Sequence, residues 1–295
     1  MDPKIRYDVM AQRVNDALPY YFPMMPGAVS QLYEAAHYSL LAGGKRLRPV
    51  LLLECARMFG CPAEDAMPFA CALEMIHTYS LIHDDLPSMD NDSLRRGQPT
   101  SHIVFGEAAA ILAGDALLTE AFEIALDEDN RPGVPARTRL RAAHLLARAA
   151  GITGMAGGQM IDIDAPGLGM SLDDVVHMHL MKTGALLCAS VEIGALMAGA
   201  SDSDIRTVRA YARLLALAFQ ARDDLLDATG TVGEMGKKTG RDAEAGRVTL
   251  VKMLGEDGCA ELIKGLSAKA CETVARLPDN GFLLWLTEKL SERKS

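Results

Sequence analysis

The sequence predicts an all-α fold, and three observations carry that prediction. Apolar residues recur at three- and four-residue spacing through about 28–42, 49–59, 66–84, 101–127, 136–155, 171–199 and 203–228, then 245–255, 258–276 and 280–291, the period of a helix with a buried face. Ala, Leu and Met are abundant while aromatic residues make up only 5%, a balance that favours helices over sheets. Short breaks separate the periodic segments: Gly43-Gly44, Pro87 with a polar run behind it, Arg131-Pro132-Gly133, Ala165-Pro166-Gly167, and Thr229-Gly230 with Val232-Gly233 close behind. About ten helices follow from this periodicity, with no strand alternation to compete. Since no repeat and no Pro/Gly/Ser-rich linker divides the chain, residues 1–295 are expected to form a single helical domain.

The net charge of −9 argues against nucleic acid or an anionic membrane as a partner, because either would call for a basic excess. The six cysteines sit mostly inside apolar runs and form no CxxC pair, which fits buried thiols in a reducing compartment. The first residues, MDPKIRYDVM, carry charges where a signal peptide would have its apolar run. A cytoplasmic location is expected. Ala185 to Ala200 is strongly apolar, but Glu192 interrupts it and it is shorter than the ~20 residues of a membrane span, so a buried core helix is expected there.

Two acidic clusters stand out. His83-Asp84-Asp85-Leu86-Pro87-Ser88-Met89-Asp90-Asn91-Asp92 sets four carboxylates at the end of an apolar helix, where mutual repulsion is costly without compensating cations. In Phe219-Gln220-Ala221-Arg222-Asp223-Asp224-Leu225-Leu226-Asp227, Gln220, Asp223, Asp224 and Asp227 fall at i, i+3, i+4 and i+7, on one helical face. Such clusters on separate helices could grip metal ions between them. Carboxylate oxygens without His or Cys at zinc-ligand spacing suit Mg²⁺ or Mn²⁺, and Mg²⁺ commonly completes its shell with phosphate oxygens. Basic segments supply the matching countercharge: Gly43-Gly44-Lys45-Arg46-Leu47-Arg48-Pro49, Leu94-Arg95-Arg96-Gly97 and Gly236-Lys237-Lys238-Thr239-Gly240-Arg241. Neither a Walker loop nor a GxGxxG fingerprint is present.

This set of motifs resembles the trans-isoprenyl diphosphate synthases, above all their bacterial farnesyl diphosphate synthase (geranyltranstransferase) group. GGKRLRP (43–49), IHTYSLIHDDLPSMDNDSLRRGQPTSH (76–102), GEAAAILAGDALL (106–118), MAGGQMIDID (155–164), MKTGALL (181–187), FQARDDLLD (219–227) and GKKTGRD (236–242) occur in the family's order over most of the chain. The resemblance implies a helical bundle around a deep central cavity, with the two Asp motifs facing each other across its mouth, and a homodimer. It implies about three Mg²⁺ ions per active site, Mn²⁺ being the alternative, held by Asp84, Asp85, Asp90, Asp223, Asp224 and Asp227. By the same carry-over Gly44, Lys45, Arg48, His77 and Arg96 hold isopentenyl diphosphate, and Arg95, Lys182, Gln220 and Lys237 hold the allylic diphosphate. Thr183 and Gln220 lie along the developing cation. Tyr79, with Ser80 beside it, stands where an aromatic goes with a fifteen-carbon product. Asn91 occupies a position where many relatives carry Asp, and Arg247 one where Lys is usual.

The implied reaction is a prenyl transfer. The diphosphate leaves the allylic carbon with metal and cationic assistance, and the isopentenyl double bond, held in place, attacks the resulting cation before a proton is lost. No Ser, Cys or His nucleophile is needed, and an apolar cavity excludes water. Farnesyl diphosphate is the expected product. The alternatives are a geranylgeranyl diphosphate synthase with a deeper cavity and a non-catalytic regulatory subunit of such a synthase.

Overall fold

The computed structural model describes residues 1–130, 134–229 and 247–293. Thirteen α-helices account for most of these residues: α1 Pro3–Tyr21, α2 Ser30–Leu40, α3 Leu47–Met58, α4 Ala63–Asp84, α5 Ser101–Phe105, α6 Glu107–Leu126, α7 Ala136–Ala150, α8 Met155–Asp164, α9 Leu172–His179, α10 Ala185–Met197, α11 Asp202–Thr229, α12 Leu250–Val274 and α13 Gly281–Ser291. The only strand pairing among the described residues is a two-residue hairpin, β1 Leu94–Arg95 with β2 Gln98–Pro99, turned by Arg96 and Gly97 at positive φ. The all-α expectation holds.

The chain forms two compact units, residues 1–144 with 196–198 and residues 145–195 with 199–295. In the first, α4 is the central element. Fourteen of its 22 residues are buried, packed on α6 and α3, with α1 and α2 around them. In the second, α11 packs along α12 and α13, and α8, α9 and α11 pack around the turn at Leu180–Gly184 that follows α9. Ala165, Val175, Met178, Ala221, Leu250, Cys259 and Ile263 make one of its apolar clusters.

Three departures from the periodicity have physical causes. Helix α1 lies outside every predicted segment because only Met10, Val14 and Leu18 are buried along it, a stripe one residue wide among polar neighbours. The predicted 101–127 segment is broken at Gly106, whose φ of 87° lies outside the helical range. The predicted 171–199 segment continues through Leu180–Gly184 as a π-helical turn, in which one residue more than usual is accommodated. Leu172–Met197 is therefore long enough to cross a membrane, contrary to the length argument. Its most apolar window is nevertheless 72% buried within the protein, as a core helix is.

Candidate active site

In the first unit the acidic cluster forms where α4 ends. Leu86 and the residues after it wind back on the helix terminus: the Asp90 N–H donates to the Asp84 carbonyl (2.8 Å) and the Asp92 N–H to the Asp85 carbonyl (3.2 Å). The loop thereby returns Asp90 and Asp92 to the neighbourhood of Asp84 and Asp85. Asn91 sits in this turn with φ 52°, the left-handed region in which Asn is among the best-tolerated non-glycine residues. That is a backbone reason for the departure noted at this position. Arg95 of the hairpin grips Asp85 through Nε (2.8 and 2.9 Å) and Nη2 (2.6 Å), a forked charge-assisted pair. Asp85 is buried, so this countercharge matters.

The basic loop at 43–48 lies in the same unit, and it separates three cations that look alike in sequence. Arg46 turns inward: it is 3% exposed, and its guanidinium donates to Glu74 Oε1 (2.7 Å), the Leu40 carbonyl (2.8 Å) and Asn15 Oδ1 (2.9 Å). It binds the loop to α1, α2 and α4. Lys45 stays exposed. Arg48 donates to His77 Nε2 at 3.4 Å, while its own Nε is buried without a hydrogen-bond partner among the described residues. Burial, then the charges of Arg48, Arg96 and Arg95, hold His77 well below the usual imidazole range, so it faces Arg48 as a neutral acceptor. Arg96 packs on Gly44, where a Cβ would stand 2.5 Å from the guanidinium carbon, and donates to the Gly43 carbonyl. Gly44 thus keeps a side chain out of Arg96's way. Ser80 turns its hydroxyl to the His77 carbonyl (2.8 Å). Tyr79 is half-buried against His83.

The second unit collects the other candidates. Lys182 and Thr183 lie on the π-helical turn, a backbone irregularity common at functional sites. Thr183 donates to Gln220 Oε1 (3.1 Å) and Gln220 Nε2 to Asp224 Oδ1 (2.9 Å). The other oxygen of Asp224 accepts the Leu250 N–H at 2.8 Å and lies 3.7 Å from His179 Nε2. Burial pushes the Asp224 carboxyl up, and the bonds from Gln220 and Leu250 oppose it. Asp224 is thereby tied to the start of α12, whereas Asp223 and Asp227 stay half-buried on the same helix.

Two partners here were not legible in the motifs. Lys182 Nζ bonds Asp162 Oδ2 at 2.6 Å, and α8 comes this near because Gly158 lacks a Cβ, which would stand 2.2 Å from the Lys182 nitrogen. Arg293, beyond α13, donates to Asp223 and lies over the Phe219 ring, 4.9 Å from its centroid. Lys237 lies outside the described residues. Among those described, no three His, Cys, Asp or Glu side chains converge tightly enough to hold an ion by themselves. The oxygen donors of Asp84, Asp85, Asp90 and Asp223 fit a hard cation that takes one or two carboxylates and fills its shell with water and phosphate oxygens, as Mg²⁺ does.

The polyprenyl synthetase family profile matches residues 29–265. The chain is 48% identical over 250 residues to a farnesyl diphosphate synthase of Geobacillus stearothermophilus, covering 85% of this chain and 84% of that one. It is 41% identical over 295 residues to the farnesyl diphosphate synthase of Escherichia coli, covering 99% and 98%. It is also 46% identical over 263 residues to the heterodimeric geranylgeranyl pyrophosphate synthase large subunit 1 of Arabidopsis thaliana, covering 88% and 70%. Among solved structures, an FPP/GFPP synthase from Zymomonas mobilis superposes with a TM-score of 0.87 at 33% identity, covering 98% of this chain and 99% of that one. With its motifs, its helical architecture and these relatives in agreement, the chain belongs to the polyprenyl synthetase family of trans-prenyltransferases.

Proposed function

We propose that this prenyltransferase is a farnesyl diphosphate synthase, condensing isopentenyl diphosphate with dimethylallyl and then geranyl diphosphate. The observation that carries the reading lies on α4. One stretch of that helix places His77 beside Arg48, whose buried Nε has no hydrogen-bond partner among the described residues, and two turns further on places the Asp84-Asp85 motif. A cationic seat and a metal-type carboxylate cluster on one helix suit an enzyme with two diphosphate substrates. A terpene cyclase needs only one. The family profile runs across both units, which supports reading them as one functional domain.

In this reading Lys45, Arg48, His77 and Arg96, with the Gly44 backbone, take isopentenyl diphosphate. Arg95, Lys182, Gln220 and Lys237 take the allylic diphosphate, with Asp162 holding Lys182 in place. Asp84, Asp85, Asp90 and Asp223 hold Mg²⁺, with Asp227 nearby, and Asp224 secures α11, the helix of Asp223 and Asp227, to α12. The metal, when bound, supplies Lewis-acid stabilisation of the departing diphosphate. The Thr183 and Gln220 oxygens then face the positive charge left on the allylic chain. Tyr79, five residues before Asp84, is about one and a half turns away along α4 and closes the chain-length end. Its ring favours a fifteen-carbon product over the twenty-carbon product named for the Arabidopsis relative.

The test is to incubate the purified protein with dimethylallyl diphosphate, isopentenyl diphosphate and Mg²⁺, and to identify the prenyl alcohols after phosphatase treatment. Farnesol as main product supports the reading. Geranylgeraniol keeps the chemistry but rejects the Tyr79 stop, and no product favours a regulatory subunit.

The proposed assembly is a soluble, cytoplasmic homodimer. Ile103, Val104, Ile111 and Leu112, on the packed helices α5 and α6, are 43–56% exposed, an apolar face suited to a second copy of the chain. Val104→Glu with Leu112→Glu is expected to give a monomer by light scattering. A wild-type protein that is monomeric at micromolar concentration overturns the dimer.

A further inference from the structure

The Tyr79 ring has its own support, built from His83 and Gly114. Tyr79 and His83 are one turn apart on α4, and their rings meet edge to face with centroids 5.8 Å apart and planes at 78°. The imidazole then reaches across to α6. There His83 Nε2 lies 3.0 Å from the Ile111 carbonyl oxygen, a bond that an Nε2–H tautomer donates, and 3.9 Å from the Asp115 carboxylate. The ring is thus held at both its edge and its polar tip.

Gly114 admits the ring to this position. A Cβ at residue 114 would stand 2.1 Å from His83 Nε2, 2.5 Å from Cδ2 and 2.8 Å from Cε1. These distances are far inside contact, so even a methyl group would drive the imidazole away. Gly114 lies within α6 and is buried, and glycine in a helix interior is less stable than alanine. Close approach of His83 explains its presence.

We infer that His83 and Gly114 are positioning residues for product length. Gly114 makes room for the His83 ring, His83 fixes the Tyr79 ring, and the Tyr79 ring stops the growing chain. The inference rests on the reading of Tyr79 as that stop.

The experiment compares the prenyl alcohols made by wild type, Tyr79→Ala, His83→Ala, Gly114→Ala and the His83→Ala/Gly114→Ala double variant. The ratio of twenty- to fifteen-carbon product is internal to each reaction and does not depend on total activity. His83→Ala and Gly114→Ala are each expected to raise it about fivefold, the size of one lost edge-to-face contact. The double variant is expected to match His83→Ala alone, because Gly114 acts only through the ring. A merely structural glycine would not show that dependence. If Gly114→Ala does not fold, His83→Ala and His83→Gln carry the test. An unchanged ratio in the His83 variants, alongside longer products from Tyr79→Ala, overturns the inference and leaves the stop intact. An unchanged ratio in Tyr79→Ala overturns the stop itself, and the inference with it.

Discussion

Asp84→Ala and Asp223→Ala are each expected to lower Mg²⁺-dependent condensation by about 10³-fold while leaving thermal stability near that of the wild type. Metal stabilisation of a departing diphosphate is worth several kcal/mol, and about 4 kcal/mol corresponds to ~10³ in rate. Neither residue is part of the buried core, so removing it opens no cavity. At Asp223 the substitution also takes away the acceptor for Arg293, a partly exposed pair of small energetic weight. Steady-state rates at saturating Mg²⁺, with circular dichroism melts on the same samples, check both halves. Near-normal turnover in both variants would sink the metal assignment.

Arg46→Met should instead act on stability. Arg46 and Glu74 are 3% and 1% exposed and joined at 2.7 Å. Removing one partner of such a pair leaves the other's charge buried and uncompensated, at a cost of about 3–5 kcal/mol. A fall in Tm on the order of 10 °C is expected for Arg46→Met or Glu74→Met alone. The double variant, which removes both charges and keeps similar volume, should recover much of that loss. A double variant as unstable as the sum of the singles would mean that the Leu40 and Asn15 contacts, not the ion pair, dominate. Because Arg46 ties the 43–48 loop to three helices, the double variant is also expected to raise KM for isopentenyl diphosphate.

The acid motifs were legible because their chemistry is local. Gln220, Asp223, Asp224 and Asp227 share a face by spacing alone, and the Asp84–Asp92 cluster is continuous in the chain. The basic loop was legible only as a composition. Nothing in Lys45-Arg46-Leu47-Arg48 says which cation turns inward. That is decided by the left-handed φ of 49° at Arg46 and by Glu74, an acid in the apolar middle of α4, 28 residues away. Asp162 and Arg293 were invisible for the same reason: their partners lie 20 and 70 residues away. Helix α1 was missed because packing, not amphipathic strength, holds it. The roles of Gly114 and Gly158 are negative features, the absence of a Cβ where another chain segment must pass, and only coordinates reveal the neighbour.

The π-helical turn at Leu180–Gly184 has a bearing on how this chain tolerates change. One residue corresponds to about 100° of helical rotation, so the turn acts as a phase shift between the segment before it and α10 after it. Upstream and downstream halves can accept substitutions under separate rules, one answering to Asp162 and Gln220, the other to the buried surface around Leu186, Leu187 and Val191. Point changes leave that phase alone. A single-residue deletion inside the turn would erase it, swinging those three apolar side chains by about a quarter of a revolution. The helix is therefore far more permissive of replacement than of deletion, a distinction that variation in length, and not in composition, would expose.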